Sequence, residues 1–216
     1  MMGPLRGGCR LAPVLLLSWL AFGCQSGGER SPSTGAGGLL DGPTRWLMLP
    51  DEMRQAEHLQ TNREAIDFVE SFWRRRDPDP REPGNEYAKT FYERVDAADH
   101  LYSEGGVRGS LTDRGRALIL LGPPPVLRYN RRRLPAWEPG KLGTRPAIQT
   151  RTAMVEVWAY PVTDLPPELA KALLDEEPEA EQIELAFLEE RNTTRLIEGE
   201  KFLEIAARAA VRDLTP

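Results

Sequence analysis

Both cysteines of the chain, Cys9 and Cys24, fall within its first 24 residues. Everything after them must therefore hold together without an internal disulfide, by burial of apolar side chains and by backbone pairing. Zinc sites of four cysteines, or of two cysteines and two histidines, are excluded on the same count, because only His58 and His100 remain to join Cys24. The composition can supply a core: of 216 residues, 40% are hydrophobic and 28% charged, the balance of a soluble globular domain. The 19 Gly and 19 Pro predict long connections around that core. With a net charge of −5 the chain lacks the basic excess of a nucleic-acid binder, and no nucleic-acid partner is expected.

The first residues read as an address. Arg6 and Arg10 make a positive region ahead of an apolar stretch that runs from Leu11 to Phe22, and no acidic residue occurs before Glu29. As a helix the stretch spans about 18 Å, short of the roughly 30 Å of a bilayer core but the right length for a signal-peptide h-region. It ends in Leu20-Ala21-Phe22-Gly23-Cys24, which resembles a bacterial lipobox, where the cysteine thiol takes a diacylglyceryl group and cleavage follows. The usual pattern has Leu three residues before the cysteine and a small residue two before. Here those places hold Ala21 and Phe22. The alternative is an ordinary secretory signal cut at the same bond, with Cys24 left as a thiol. Gln25 to Gly38 (QSGGERSPSTGAGG) is polar and Gly/Ser-rich, a tether composition. We read residues 1–23 as a lipoprotein-type signal peptide, 24–43 as a lipid-anchored flexible tether and 44–216 as the folded domain. The expected location is the bacterial cell envelope, membrane-anchored and facing the periplasm, or, if the cysteine is not lipidated, secreted. Gln25 after the cysteine favours the outer membrane by analogy with enteric bacteria.

Within the domain, Pro50 opens a short helix to about Leu59. Thr61-Asn62-Arg63-Glu64 reads as a capping box ahead of Ile66, Val69, Phe72 and Trp73 at helical spacing. A third helix is predicted from Asn85 to about Tyr102, closed by Gly105-Gly106. Arg116 to Leu121 (RALILL), between Gly115 and Gly122-Pro123-Pro124-Pro125, reads as a buried strand that could resume over Val126 to Tyr129. Arg131 to Thr152 reads as a polar, mobile loop, and Met154 to Tyr160 as the clearest strand. A short helix over Pro166 to Leu174 and an acidic loop lead to a hairpin of Ile183–Glu189 and Thr194–Glu198. A last amphipathic helix covers Glu200 to Leu214. Helices first, then strands, then a helix predict an α+β fold: N-terminal helices, a small, mostly antiparallel sheet and a C-terminal helix.

Several stretches then carry a resemblance. They are Trp46-Leu47, Phe72 to Pro78 (FWRRRDP), Asn85-Glu86-Tyr87, Phe91 to Val95 (FYERV), Thr112 to Arg116 (TDRGR), Leu121 to Pro124 (LGPP) and Val157 to Tyr160 (VWAY). In this order they resemble the GWxTD domain family of uncharacterised bacterial lipoproteins and secreted proteins. The naming motif reads Gly109-Ser110-Leu111-Thr112-Asp113, with Ser110 where the family has Trp. The resemblance implies a fold and marks Gly109, Thr112 and Asp113 as motif residues of unassigned role, but it implies no catalytic residue.

The residues point to no catalytic constellation, cofactor or metal site. The Gly-rich loop from Gly105 to Gly115 lacks the Gly-Lys-Ser/Thr ending of a phosphate loop, and on this reading runs from helix to strand. Asp77 and Asp79, between Pro78 and Pro80, end a helix rather than form a calcium loop. His58 and His100 are expected on helices, exposed. The runs Arg74–Arg76 and Arg131–Arg133 read as a helix end and a solvated loop. Trp137, in the basic loop beside Pro135 and Pro139, is the candidate interaction residue. The expectation is a protein-interaction module, attached to the membrane through Cys24 and working through an envelope protein partner. The alternative is a glycan-directed envelope hydrolase using acidic residues, which requires two carboxylates about 5 to 10 Å apart in a cleft.

Overall fold

The computed structural model describes residues 36–138 and 147–211, so Cys24 and the signal-peptide reading lie outside the described residues. Helix α1 (Ala36–Asp41) and a 3-10 turn over Pro43–Leu47 come first. Leu39 and Leu40 pack against the core, so ordered structure begins inside the segment read as tether. Helix α2 (Pro50–Glu57) starts on its proline, with Glu52 accepting from the Leu49 amide. Helix α3 (Asn62–Arg74) has the expected capping box: Thr61 accepts from the Glu64 amide, and Glu64 from the Thr61 amide. Helix α4 (Glu86–Leu101) is capped by Asn85, whose side chain accepts from Ala88 N.

The chain then departs from the sequence reading. Residues 113–121 form a helix, α5 (Asp113–Leu121), where a buried strand was expected. Thr112 caps it by accepting from Gly115 N, and Gly122 stops it at φ +84°, with its amide on Leu118 O at 2.8 Å. Ala117, Leu118, Ile119 and Leu120 are all buried. A helix covered on every side shows no amphipathic stripe, and this hid it in an apolar run.

Strand β1 (Val126–Glu138) and strand β2 (Ala147–Pro161) pair antiparallel from Val126↔Ala159 to Glu138↔Ala147. This overturns the mobile loop over 131–152, of which residues 139–146 lie outside the described residues. Helix α6 (Pro167–Glu176) follows, then β3 (Gln182–Glu190), β4 (Thr193–Glu198) and α7 (Glu200–Ala209). The sheet order is β1-β2-β3-β4 with every pairing antiparallel, so β1 and β4 are its edges. With helices ahead of the sheet and one after it, the fold is α+β.

One sheet face carries Trp158 and Tyr160 of β2 and Ile183, Leu185 and Phe187 of β3, all buried with Phe72, Phe91, Leu118, Leu203 and Ile205 of the helices. The other face buries a smaller cluster of Val155, Val157, Ala186 and Leu188. Cross-strand pairs Arg128–Glu184, Arg132–Glu198 and Arg151–Glu190 lie on that face. Their aliphatic stems can shield apolar side chains while the charged heads stay in water.

Candidate functional site

The motif segment lies where α4, α5 and β4 meet. Gly109 opens a 3-10 turn pressed against α4: a Cβ there would sit 1.8 Å from Ala98 O. Gly115, in the first turn of α5, is as tightly placed, since its Cβ would meet Gly109 O at 1.8 Å. The Thr112 hydroxyl donates to Gly109 O at 2.8 Å and accepts from Gly115 N at 3.1 Å, locking turn to helix. The Asp113 carboxylate accepts from Leu196 N of β4 at 2.6 Å. Gly109, Thr112 and Asp113 are thus brought together, and each makes contacts that hold the fold.

Ser110 is wholly buried. Its amide donates to Asp99 Oδ1 at 2.7 Å, and its carbonyl accepts from Trp46 Nε1 at 2.8 Å. The turn is therefore secured by a tryptophan 64 positions earlier in the chain. Burial pushes the Asp99 carboxyl up, but hydrogen bonds from Arg108 and Ser110 and the Arg108 charge outweigh it, leaving Asp99 below its ordinary range.

Beside the motif is a polar cluster that sequence reading did not single out. Glu104 accepts from Thr194 N at 2.7 Å, Thr194 Oγ1 at 3.0 Å and Arg114 Nη2 at 3.0 Å. Arg114 also reaches Glu156 at 3.5 Å and lies over the Tyr102 ring, and Glu156 accepts from Trp158 Nε1 at 2.6 Å. The two carboxylates share one guanidinium and are further held by Thr194 and Trp158, an arrangement that joins α5 to the sheet. One signal was available: Glu156 alternates with Met154, Trp158 and Tyr160, an acid on the core-facing side of a strand.

A second buried pair fixes the helical layer. Arg76 is 1% exposed; it donates to Glu52 at 2.7 Å and Leu47 O at 2.6 Å and stacks on Phe72. Arg75 donates to Glu52 as well. Arg74–Arg76 does close a helix, as expected, since α3 ends at Arg74 with Arg75 as its cap, and within the run it is Arg76 that turns into the core. Tyr160, driven up by burial, donates to Gly122 O at 3.0 Å.

Two hollows open on the surface. One, of about 370 Å³, is lined by Ser103 to Arg108; the other, of about 250 Å³, by Leu134, Arg151, Leu188, Glu190 and Glu198 among others. The acids in them, Glu104, Glu190 and Glu198, are all paired with arginines. The Gly-rich loop runs from helix to helix, correcting the helix-to-strand reading, and Asp113 occupies the helix start at which a phosphate would have to sit. His58 and His100 are exposed. Among the described residues no group of three or more His, Cys, Asp or Glu could hold a metal ion, and no helix is long and apolar enough to cross a membrane. Trp137 belongs to β1, opposite Ile148, and not to a loop; its side chain lies outside the described residues.

One surface stands apart from these structural contacts. Toward the β1 edge, the core-facing side of the sheet runs out from under the helices. Register places Leu127 opposite Trp158, Tyr129 opposite Glu156 and Arg131 opposite Met154. There Leu127, Tyr129 and Met154 are 45%, 63% and 50% exposed.

The class these features define is an α+β domain whose motif ties a central helix to an antiparallel sheet. The GWxTD domain model matches residues 22–150, and the chain belongs to the GWxTD domain family. No curated protein and no solved structure matches it. The matched segment ends in the first residues of β2, before Val157–Tyr160 and before β4, the strand that Asp113 grips.

Proposed function

We propose that this protein is a lipid-anchored bacterial envelope protein, held through Cys24 at the outer membrane and facing the periplasm, whose domain works as a protein-interaction module. The observation that carries the module reading is the uncovered strip of sheet at Leu127, Tyr129 and Met154. Leu127, Tyr129 and Met154 sit at neighbouring register positions, so they form one contiguous strip, the kind of surface at which docking is favoured. The anchor reading rests on the apolar stretch ending at Cys24 and the polar segment after it.

Fractionation of cells producing the full chain or Cys24→Ser tests the anchor. The wild type is expected in the membrane fraction with a mass increment of acyl chains, and the variant in the soluble fraction. Unchanged membrane association of the variant would sink the anchor. Crosslinking in the same cells tests the module, which requires a discrete protein adduct that survives detergent extraction.

A further inference from the structure

We propose that β1 binds an extended acidic segment of a partner protein by strand addition. The proposal rests on the module reading and names its surface and the chemistry of its partner.

The two edges of the sheet are treated differently. At β4 the amides of Thr194 and Leu196, alternate residues on the outer side, are taken by the carboxylates of Glu104 and Asp113. That edge is closed by side chains of the same domain and cannot accept another strand. At β1, residues Val126 to Arg131 are all exposed, and no described side chain takes up the strand's outward amides. Its outer row of backbone donors and acceptors is a template for an added strand. Pro135, which has no amide proton, ends the template toward the far end of the ribbon.

Side chains on this edge specify what would be added. On the core-facing side, Leu127 and Tyr129 are followed by Arg131 and Arg133. On the opposite side, Arg128 and Arg132 are neutralised by Glu184 and Glu198. Arg131 and Arg133 make no ion pair among the described residues. An added strand would therefore bring apolar or β-branched residues against Leu127 and Tyr129, and acidic residues against Arg131 and Arg133. A second copy of β1 is a poor occupant, because its Val126–Leu134 stretch contains no acid to set against Arg131 and Arg133.

The test uses the full chain in detergent micelles and a fluorescent peptide, Glu-Thr-Glu-Thr-Val-Thr-Val, read by anisotropy. Binding is expected to weaken at least tenfold in the R131E/R133E variant, and to return when the peptide's glutamates become lysines. Circular dichroism confirms that the variant is folded. Equal binding of both peptides to the wild type, absence of binding, or binding of anionic lipid vesicles in place of the peptide overturns the proposal. Photo-crosslinking in cells from Tyr129 and, separately, from Ile66 of α3 then separates this proposal from the module reading. An adduct from Tyr129 to an acidic segment supports both. Adducts from Ile66 alone leave the module standing and overturn the β1 site, and none from either position overturns both.

Discussion

Gly109 shows why a glycine heads the motif. Its requirement is for space, not for an unusual backbone angle: the missing side chain is replaced by the carbonyl of Ala98. G109A would push the turn off α4 and is expected to cost about 3 kcal/mol or more, at the upper end for overpacking. G106A is the natural contrast, since its Cβ meets nothing within 4 Å but its φ is +80°, and that strain costs only about 1 to 2 kcal/mol. Urea unfolding of both variants checks the ranking, and equal losses would refute the packing account. Asp99 gives a pH-dependent counterpart in the same contact. Its folded value lies below the unfolded one of about 3.9. The stability it contributes is thus fully present above that range and is lost as pH falls through the lowered value. D99N should be less stable than the wild type at neutral pH, with the gap closing on acidification. A gap constant from pH 6 to pH 2 would show that the carboxylate charge is irrelevant.

Elements were legible where a local signal survived packing. The capping box at Thr61, the helix expected from Asn85 and the hairpin expected over Ile183–Glu189 and Thr194–Glu198 all stand in the structure because short-range hydrogen bonds set them. Helix α5 was misread because its centre is buried all round, and an apolar run of that length fits a buried strand or a buried helix equally. Thr112-Asp113 and Gly122 were its only helical punctuation, and both admit a turn reading. The β1–β2 ribbon was misread as a loop because its arginines look like solvent-loving residues in one dimension, whereas across strands they meet Glu184, Glu198 and Glu190. Partners distant in sequence likewise hid the link between α2 and the end of α3. Removing one member of the Glu52–Arg76 pair strands a buried charge, so E52A is expected to cost about 3 to 5 kcal/mol. Replacing both with apolar residues, E52L/R76M, should cost less than E52A alone. Thermal unfolding compares the two, and a double variant weaker than the single would show that the ion pair itself stabilises the junction.

At the scale of the whole molecule, the family match and the folding unit do not coincide. The match ends at residue 150, yet side chains within it hold residues beyond it: Asp113 of the motif binds Leu196 N, and Glu104 beside the motif binds Thr194. The core follows the same division. Phe72, Phe91 and Leu118 lie before residue 150, while Trp158, Ile183, Leu185, Phe187, Leu203 and Ile205 lie after it. Ending the chain at 150 would expose one side of that core and leave β1 with only a fragment of β2 to pair with. A two-stranded ribbon is marginal in water by itself. A chain truncated at residue 150 is therefore expected to lack a cooperative thermal transition and to be cut readily by protease within α4 and α5. One ending at residue 211 should unfold as cooperatively as the full chain. If the shorter chain melts cooperatively with intact near-UV circular dichroism, the motif region folds without the sheet it grips. The contacts of Asp113 and Glu104 would then serve to dock a separable second half, and the motif would be a hinge between two folding units.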